Sequence, residues 1–177
     1  MRKLNVLEMN RISVAEFKQS KKTPLVVILD NVRSMYNVGS VFRTADAFRI
    51  EAIYLCGITS CPPHPEIHKT ALGAEDAVDW YYSKETLDVV KHLQQQEYEV
   101  LAIEQVEGST MLQDFTTEPE RKYAVVLGNE VKGVSQEVVD CCDGCLEIPQ
   151  FGTKHSLNVS TAAGIVMWEM MRKTVND

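Results

Sequence analysis

The fold class this sequence predicts is α/β, with a mostly parallel sheet flanked by helices. Short apolar, β-branched runs alternate with segments of helical periodicity from Leu25 to the end. The first run is continuous rather than alternating, as expected of a strand buried on both faces. The chain has 177 residues, 45% hydrophobic and 24% charged, enough for one well-buried domain and short for two. That composition excludes collagen-like, disordered and disulfide-scaffold classes.

Taken in order, Ser13-Val14-Ala15-Glu16 has capping-box spacing for a short basic helix. Pro24 to Leu29 reads as a buried strand, and Val38 to Phe48 as a helix with Val41, Phe42 and Ala45 on one face. Asn37 is its expected N-cap. Ala52–Leu55 is a second strand closed by Gly57, and Val78–Tyr82 a weaker one. Ser83 is the expected N-cap of a helix through about Gln95, with Leu87 and Val90 facing inward. Glu99–Ile103 and Tyr123–Leu127 are further strands. A short helix spans Gln136–Cys141, a last strand Cys145–Ile148, and a final helix Ser156–Arg172. The last helix carries Leu157, Thr161, Ile165 and Trp168 at helical spacing. The organisation expected is a basic N-terminal extension, 1–23, on one domain, 24–177.

The formal net charge is −7, which argues against indiscriminate nucleic-acid binding, because phosphate neutralisation supplies nearly all non-specific affinity. The charge is nevertheless polarised. Residues 1–22 carry six basic against two acidic residues, a net of +4, and the other 155 carry twelve against twenty-three, a net of −11. A positive arm on an acidic body fits either an interaction tail or a solvated terminal helix. No stretch approaches the roughly 18 apolar residues of a membrane span, and no signal-peptide core is present, so a cytoplasmic location is expected. Five cysteines fit a reducing compartment. Cys142 and Cys145 have CxxC spacing, and Cys61, His64 and His68 form a C-x2-H-x3-H run, but no second CxxC exists. Pro62, Pro63 and Pro65 suggest an irregular loop around Cys61. No metal site is expected.

Nucleotide signatures are absent: there is no GxxxxGK[ST] loop and no GxGxxG. Neither a GxSxG elbow nor a carboxylate pair for glycoside chemistry occurs. What stands out lies where ligands of open α/β sheets sit, just after the strands. After Leu29 come Asp30-Asn31-Val32-Arg33-Ser34-Met35-Tyr36-Asn37-Val38-Gly39-Ser40-Val41-Phe42-Arg43. Gly39 there permits a close approach to the backbone. After Leu127 come Gly128-Asn129-Glu130-Val131-Lys132-Gly133. After Ile148 come Pro149-Gln150 and, further on, Ser156-Leu157-Asn158-Val159-Ser160, more polar residues than capping needs.

In this order, the three clusters resemble the three motifs of the SpoU/TrmH branch of the SPOUT RNA methyltransferases. The first is Asn-x-Gly-x-x-x-Arg, here Asn37, Gly39 and Arg43. The second is Leu127-Gly128-Asn129-Glu130 with Gly133. The third is Ile148-Pro149 followed by Ser156 to Ser160, with Gln150 departing from the usual Met. The resemblance covers roughly 24–173.

The resemblance implies an α/β fold with a C-terminal trefoil knot, an exception to the rule against knotted chains. It implies S-adenosylmethionine held by Leu127, Gly128, Ile148 and Leu157, transfer of its methyl group to a ribose 2′-hydroxyl of tRNA or rRNA, and a homodimer. No metal and no membrane enter. Asn37, Arg43, Ser156 and Asn158 are the implied catalytic group, with Gly39, Glu130 and Gly133 in support. Arginine is effectively always protonated, so Arg43 is expected to clamp a phosphate or alkoxide, and its role as the formal base that the family implies stays open. Lys18, Lys21, Lys22 and Arg33 are the expected RNA contacts. The alternative is a non-catalytic RNA-binding module on the same scaffold, which would have no reason to keep Asn37, Arg43, Ser156 and Asn158 together.

Overall fold

Eight residues, Thr23–Asp30, form β1, the strand around which the sheet of this computed structural model is built. The structure describes residues 1–5 and 7–175; Asn176 and Asp177, at the end of the expected domain, lie outside the described residues. Leu25, Val27 and Leu29 enter one hydrophobic core, Val26 and Ile28 another on the opposite face, and all five are buried. Each such side chain contributes about 1.5–3 kcal/mol on burial, so neither face of β1 can be turned to water cheaply.

A turn of 3₁₀-helix at Leu7–Met9 and α1 (Val14–Gln19) precede β1. After it come α2 (Met35–Ala47), β2 (Ile50–Cys56), α3 (Pro65–Ala71), α4 (Ala74–Ala77), β3 (Asp79–Ser83), α5 (Thr86–Gln95) and β4 (Tyr98–Ile103). The chain finishes with β5 (Thr110–Met111), β6 (Lys122–Leu127), α6 (Gln136–Cys141), β7 (Gly144–Glu147) and α7 (Val159–Val175). The seven strands lie in the order β3-β2-β1-β6-β4-β7-β5, all parallel. Val27 of β1 stands opposite Ile53 of β2 and Val125 of β6. One core is closed by α2, α3, α4 and α7 through residues such as Phe42, Ile67 and Met167; the other by α5 and α6 through Val90, Leu93 and Val138. From β1 the chain runs to β2 and β3 on one side, while β6 flanks it on the other. Ligand sites of parallel sheets form at such reversals, at the strands' carboxyl ends. No helix among the described residues is long and apolar enough to cross a membrane.

Several local expectations are corrected. Ser34, not Asn37, caps α2, its Oγ accepting the Asn37 N–H at 3.3 Å. β3 runs through Ser83, so α5 starts later, with Glu85 at the cap position and no side-chain cap bond. α7 starts at Val159 rather than Ser156, and Asn158 caps it by accepting from the N–H groups of Ser160 (2.9 Å) and Thr161 (3.3 Å). The proline-rich stretch contains α3: Pro65 sits in its first turn, where a missing N–H costs nothing, and His64 Nδ1 accepts the Glu66 N–H. β5 has only two residues, too few for any periodicity.

The face of α7 that packs inward also differs from the expected spacing. Val159, Ala163, Val166, Met167 and Met170 are buried, whereas Leu157, Ile165 and Trp168 are exposed. The helix therefore carries two apolar stripes, and the sheet uses the one with the smaller and more flexible side chains.

At the N-terminus the capping box forms: Glu16 N–H donates to Ser13 Oγ at 3.3 Å and Ser13 N–H to Glu16 Oε2 at 2.7 Å. Phe17 buries into the main core and ties α1 to the domain.

Candidate active site

The carboxyl ends of β4, β6 and β7 open on one cleft of about 580 Å³, within the range of small-molecule sites. Leu127, Gly128, Ile148 and Leu157 all line it, with Ile103, Val159 and Ala162 extending the apolar wall. Ser156, Asn158, Glu130 and Gly133 line it as well. Segments far apart in sequence thus meet because each follows a strand of the same sheet.

The loop after β6 is folded tightly on itself. Asn129 and Gly133 exchange both backbone hydrogen bonds, at 3.1 and 2.9 Å. Asn129 Oδ1 accepts the N–H groups of Val131 and Lys132, and its Nδ2 donates to the Asn31 carbonyl, joining the ends of β6 and β1. Gly133 has φ +68°, and a Cβ there would lie 2.1 Å from Glu104 Oε2. Glycine is required on both counts.

Glu130 leaves this loop and docks on the start of α2. Its Oε2 accepts the Arg33 N–H at 2.9 Å, and its Oε1 accepts the Ser34 N–H at 2.9 Å and Asn37 Nδ2 at 3.1 Å. Burial works to raise the pKa of this carboxyl, but the Arg33, Ser34 and Asn37 donors together hold it below the usual value. Asn37 Oδ1 in turn accepts Asn158 Nδ2 at 3.2 Å. All three motifs are therefore linked through Glu130–Asn37–Asn158, and the last member also caps α7. Glu130 thus holds both the backbone that opens α2 and the Asn37 side chain.

Gly39 does admit a close neighbour, but that neighbour is α3. A Cβ at Gly39 would meet Thr70 Oγ1 at 2.1 Å and the Ile67 carbonyl at 2.2 Å. Arg43 lies farther along α2, exposed and outside the cleft lining, and among the described residues its guanidinium has no hydrogen bond or ion pair. The Arg33 side chain is in the same state.

The basic arm is only partly free. Lys18 pairs with Asp79 at 2.5 Å, and Lys22 lies over the Phe17 ring and donates to the Phe17 and Ser20 carbonyls, capping α1. Lys21 is exposed.

Two residues missed by the sequence reading belong to the cleft. Glu104 accepts the N–H groups of Val134 (3.0 Å) and Gln105 (2.9 Å), and Gln105 Nε2 donates to the His155 carbonyl at 2.8 Å. Both follow the β4 run directly, so the strand-end rule that found the other three clusters also points to this one.

Among the described residues no three His, Cys, Asp or Glu side chains form a metal-holding group. His68 instead pairs with Glu75 at 2.6 Å, and the Cys142 thiol is pushed up to about 12, chiefly by burial.

The sequence profile of the SpoU rRNA Methylase family matches residues 24–168. The chain is 29% identical over 169 residues to a 23S rRNA (guanosine-2′-O-)-methyltransferase of Haemophilus ducreyi, covering 96% of this chain and 68% of that protein. It is 32% identical to a putative TrmH family tRNA/rRNA methyltransferase of Staphylococcus haemolyticus, over 89% of this chain and 64% of the relative. The chain thus spans about two thirds of the length of the curated relatives it matches. Among solved structures, the AdoMet-bound rRNA methyltransferase of Sinorhizobium meliloti superposes with a TM-score of 0.79 at 27% identity, over 88% of this chain and 59% of that one. Its fold, its three linked motifs and a family match over most of its length lead to one assignment: the chain belongs to the SpoU rRNA methylase family.

Proposed function

We propose that this chain transfers the methyl group of S-adenosylmethionine to a ribose 2′-hydroxyl of tRNA or rRNA. The observation that carries the reading is the hydrogen-bonded chain Glu130–Asn37–Asn158, which ties the segment after β1, itself outside the cleft lining, to the segments after β6 and β7 that line the cleft. The cofactor, when bound, supplies an electrophilic methyl group on a good leaving thioether. The residues present fit it: Leu127, Ile148 and Leu157 give an apolar wall, and Gly128 brings backbone close to the cleft.

The chain's own work is positioning and charge stabilisation. Asn37 and Asn158 are held by partners on either side and orient the ribose, with Ser156 beside them. Arg43, permanently cationic and unpaired, clamps the RNA phosphate and the oxygen as its proton leaves to solvent. Arg33 and Lys21 supply further phosphate contacts. Lys18 and Lys22 contribute to α1 first and to the RNA field second.

A homodimer and a trefoil knot go with this reading. Trp168, 52% exposed, packs against Phe48 with ring centroids 5.7 Å apart and the rings tilted by 53°, and with Ile165 it leaves an apolar stripe on α7 for a second copy. The loops after β6 and β7 line the same cleft, as the two crossings of a knotted chain would. We place the protein in the cytoplasm with its RNA.

Methyl transfer from radiolabelled cofactor into RNA tests the proposal. The wild-type chain should label total RNA from cells lacking the gene, and Arg43→Ala should label none while binding cofactor as before. Equal labelling by both would overturn Arg43's role.

A further inference from the structure

One exposed side chain of α2, Tyr36, lies on the Arg43 face and is not accounted for by the three motifs. Tyr36, Ser40 and Arg43 share a helical face, since seven residues fall about 20° short of two full turns. The rise between Tyr36 and Arg43 is roughly 10 Å, close to the span from a ribose to the outer edge of a stacked base on the same or the next nucleotide. Tyr36 is 47% exposed, and a tyrosine on the first turn of a helix needs no such exposure to fold.

The backbone that carries the ring is also held in place. The Tyr36 carbonyl accepts the hydroxyls of Ser40 and Thr70, both at 2.9 Å, so α3 fixes this turn of α2 from outside. That contact exists because Gly39 lets α3 approach. Lys69 of α3 lies 5.9 Å from the ring centroid and pairs with Glu66 at 2.6 Å. An exposed aromatic on a braced helix turn, beside a lysine and on one helical face with the unpaired Arg43, is a platform for a nucleotide.

Resting on the RNA reading above, we infer that Tyr36 stacks on a base of the RNA, at or next to the nucleotide whose ribose Arg43 holds, and that Lys69 neutralises an adjoining phosphate. The recognition is sequence-tolerant, because every base presents a π-face. It sets affinity and register of the RNA rather than the chemical step.

The test compares Tyr36→Leu, Tyr36→Phe and Lys69→Ala with wild type, using total RNA from cells lacking the gene as probe. Methyl incorporation gives KM and kcat, and binding over a series of salt concentrations gives the electrostatic slope. Melting temperature and cofactor affinity certify each fold. Tyr36→Leu should raise KM for RNA on the order of tenfold, with most of the loss in KM rather than kcat and an unchanged salt slope. Tyr36→Phe should stay within about twofold, because the ring is kept. Lys69→Ala should lower the salt slope by about one phosphate. The inference fails if Tyr36→Leu matches wild type, or if Tyr36→Phe loses as much as Tyr36→Leu, since the hydroxyl and not the face would then matter. A wild-type chain that methylates no RNA overturns the underlying reading and this inference together. An active wild type with an indifferent Tyr36→Leu overturns this inference alone.

Discussion

Replacing Glu130 by Ala removes the acceptor for three donors: the backbone N–H groups of Arg33 and Ser34 and the side-chain amide of Asn37. The Arg33 N–H is exposed and regains water, whereas the other two are partly buried. Hydrogen bonds to a charged group contribute about 1.5–3 kcal/mol each, and partial solvent access discounts the two that count to roughly 2–4 kcal/mol together. For a chain of this size each kcal/mol moves Tm by about 2–4 °C, so Glu130→Ala should melt about 9 °C lower. Glu130→Gln keeps one carbonyl acceptor but turns an NH₂ toward an N–H, and should lose about half as much.

The pH dependence has a definite sign. The folded pKa of Glu130 lies below its unfolded value of about 4.3, so its contribution is complete above that pH. It disappears as pH falls through the depressed folded value. Urea denaturation from pH 7 to pH 3 should therefore find the wild type losing more stability toward acid than Glu130→Gln. A Glu130→Ala variant melting within about 1 °C of wild type, or a Gln variant with the wild-type acid slope, would refute the argument.

Three further outcomes follow from the same contacts. Gly39→Ala forces a methyl group onto Thr70 and the Ile67 carbonyl and should cost about 1–3 kcal/mol in thermal denaturation; an unchanged Tm would contradict the close packing of α2 on α3. Asn158→Asp keeps the oxygen that caps α7 but loses the donor to Asn37, so methyl transfer should fall steeply while stability holds; Asn158→Ala should lose both, with about 1 kcal/mol from the cap. Equal activity of Asn158→Asp and wild type would remove Asn158 from the site. Trp168→Asp should convert a dimer to a monomer in analytical ultracentrifugation at micromolar concentration, and a variant that still sediments as a dimer would clear the α7 stripe of that role.

How much of this was legible in the sequence depends on how far each signal reaches along the chain. The β1 run declares itself because Leu25 to Leu29 feed both cores, and a run this short and β-branched, with Pro24 before it, favours a strand buried on both faces over a helix. The three site clusters were legible because glycine, asparagine and arginine sit at fixed offsets after strands. The role of each was less so. Asn37 is a good cap by type, yet Ser34 caps α2, which frees Asn37 to join Glu130 with Asn158 across more than ninety residues of chain. Only the folded sheet brings those partners together. The Pro65 helix hid behind two neighbouring prolines. α7 offered two apolar stripes, and sequence periodicity does not say which one the sheet will take.

The central claim is ribose methylation, and nucleoside mass spectrometry of tRNA and rRNA tests it most directly. RNA from cells lacking this gene should be missing one 2′-O-methylnucleoside, which returns with the wild-type gene and not with Arg43→Ala. RNA with an unaltered set of ribose methylations, or one missing only a base methylation, would contradict it.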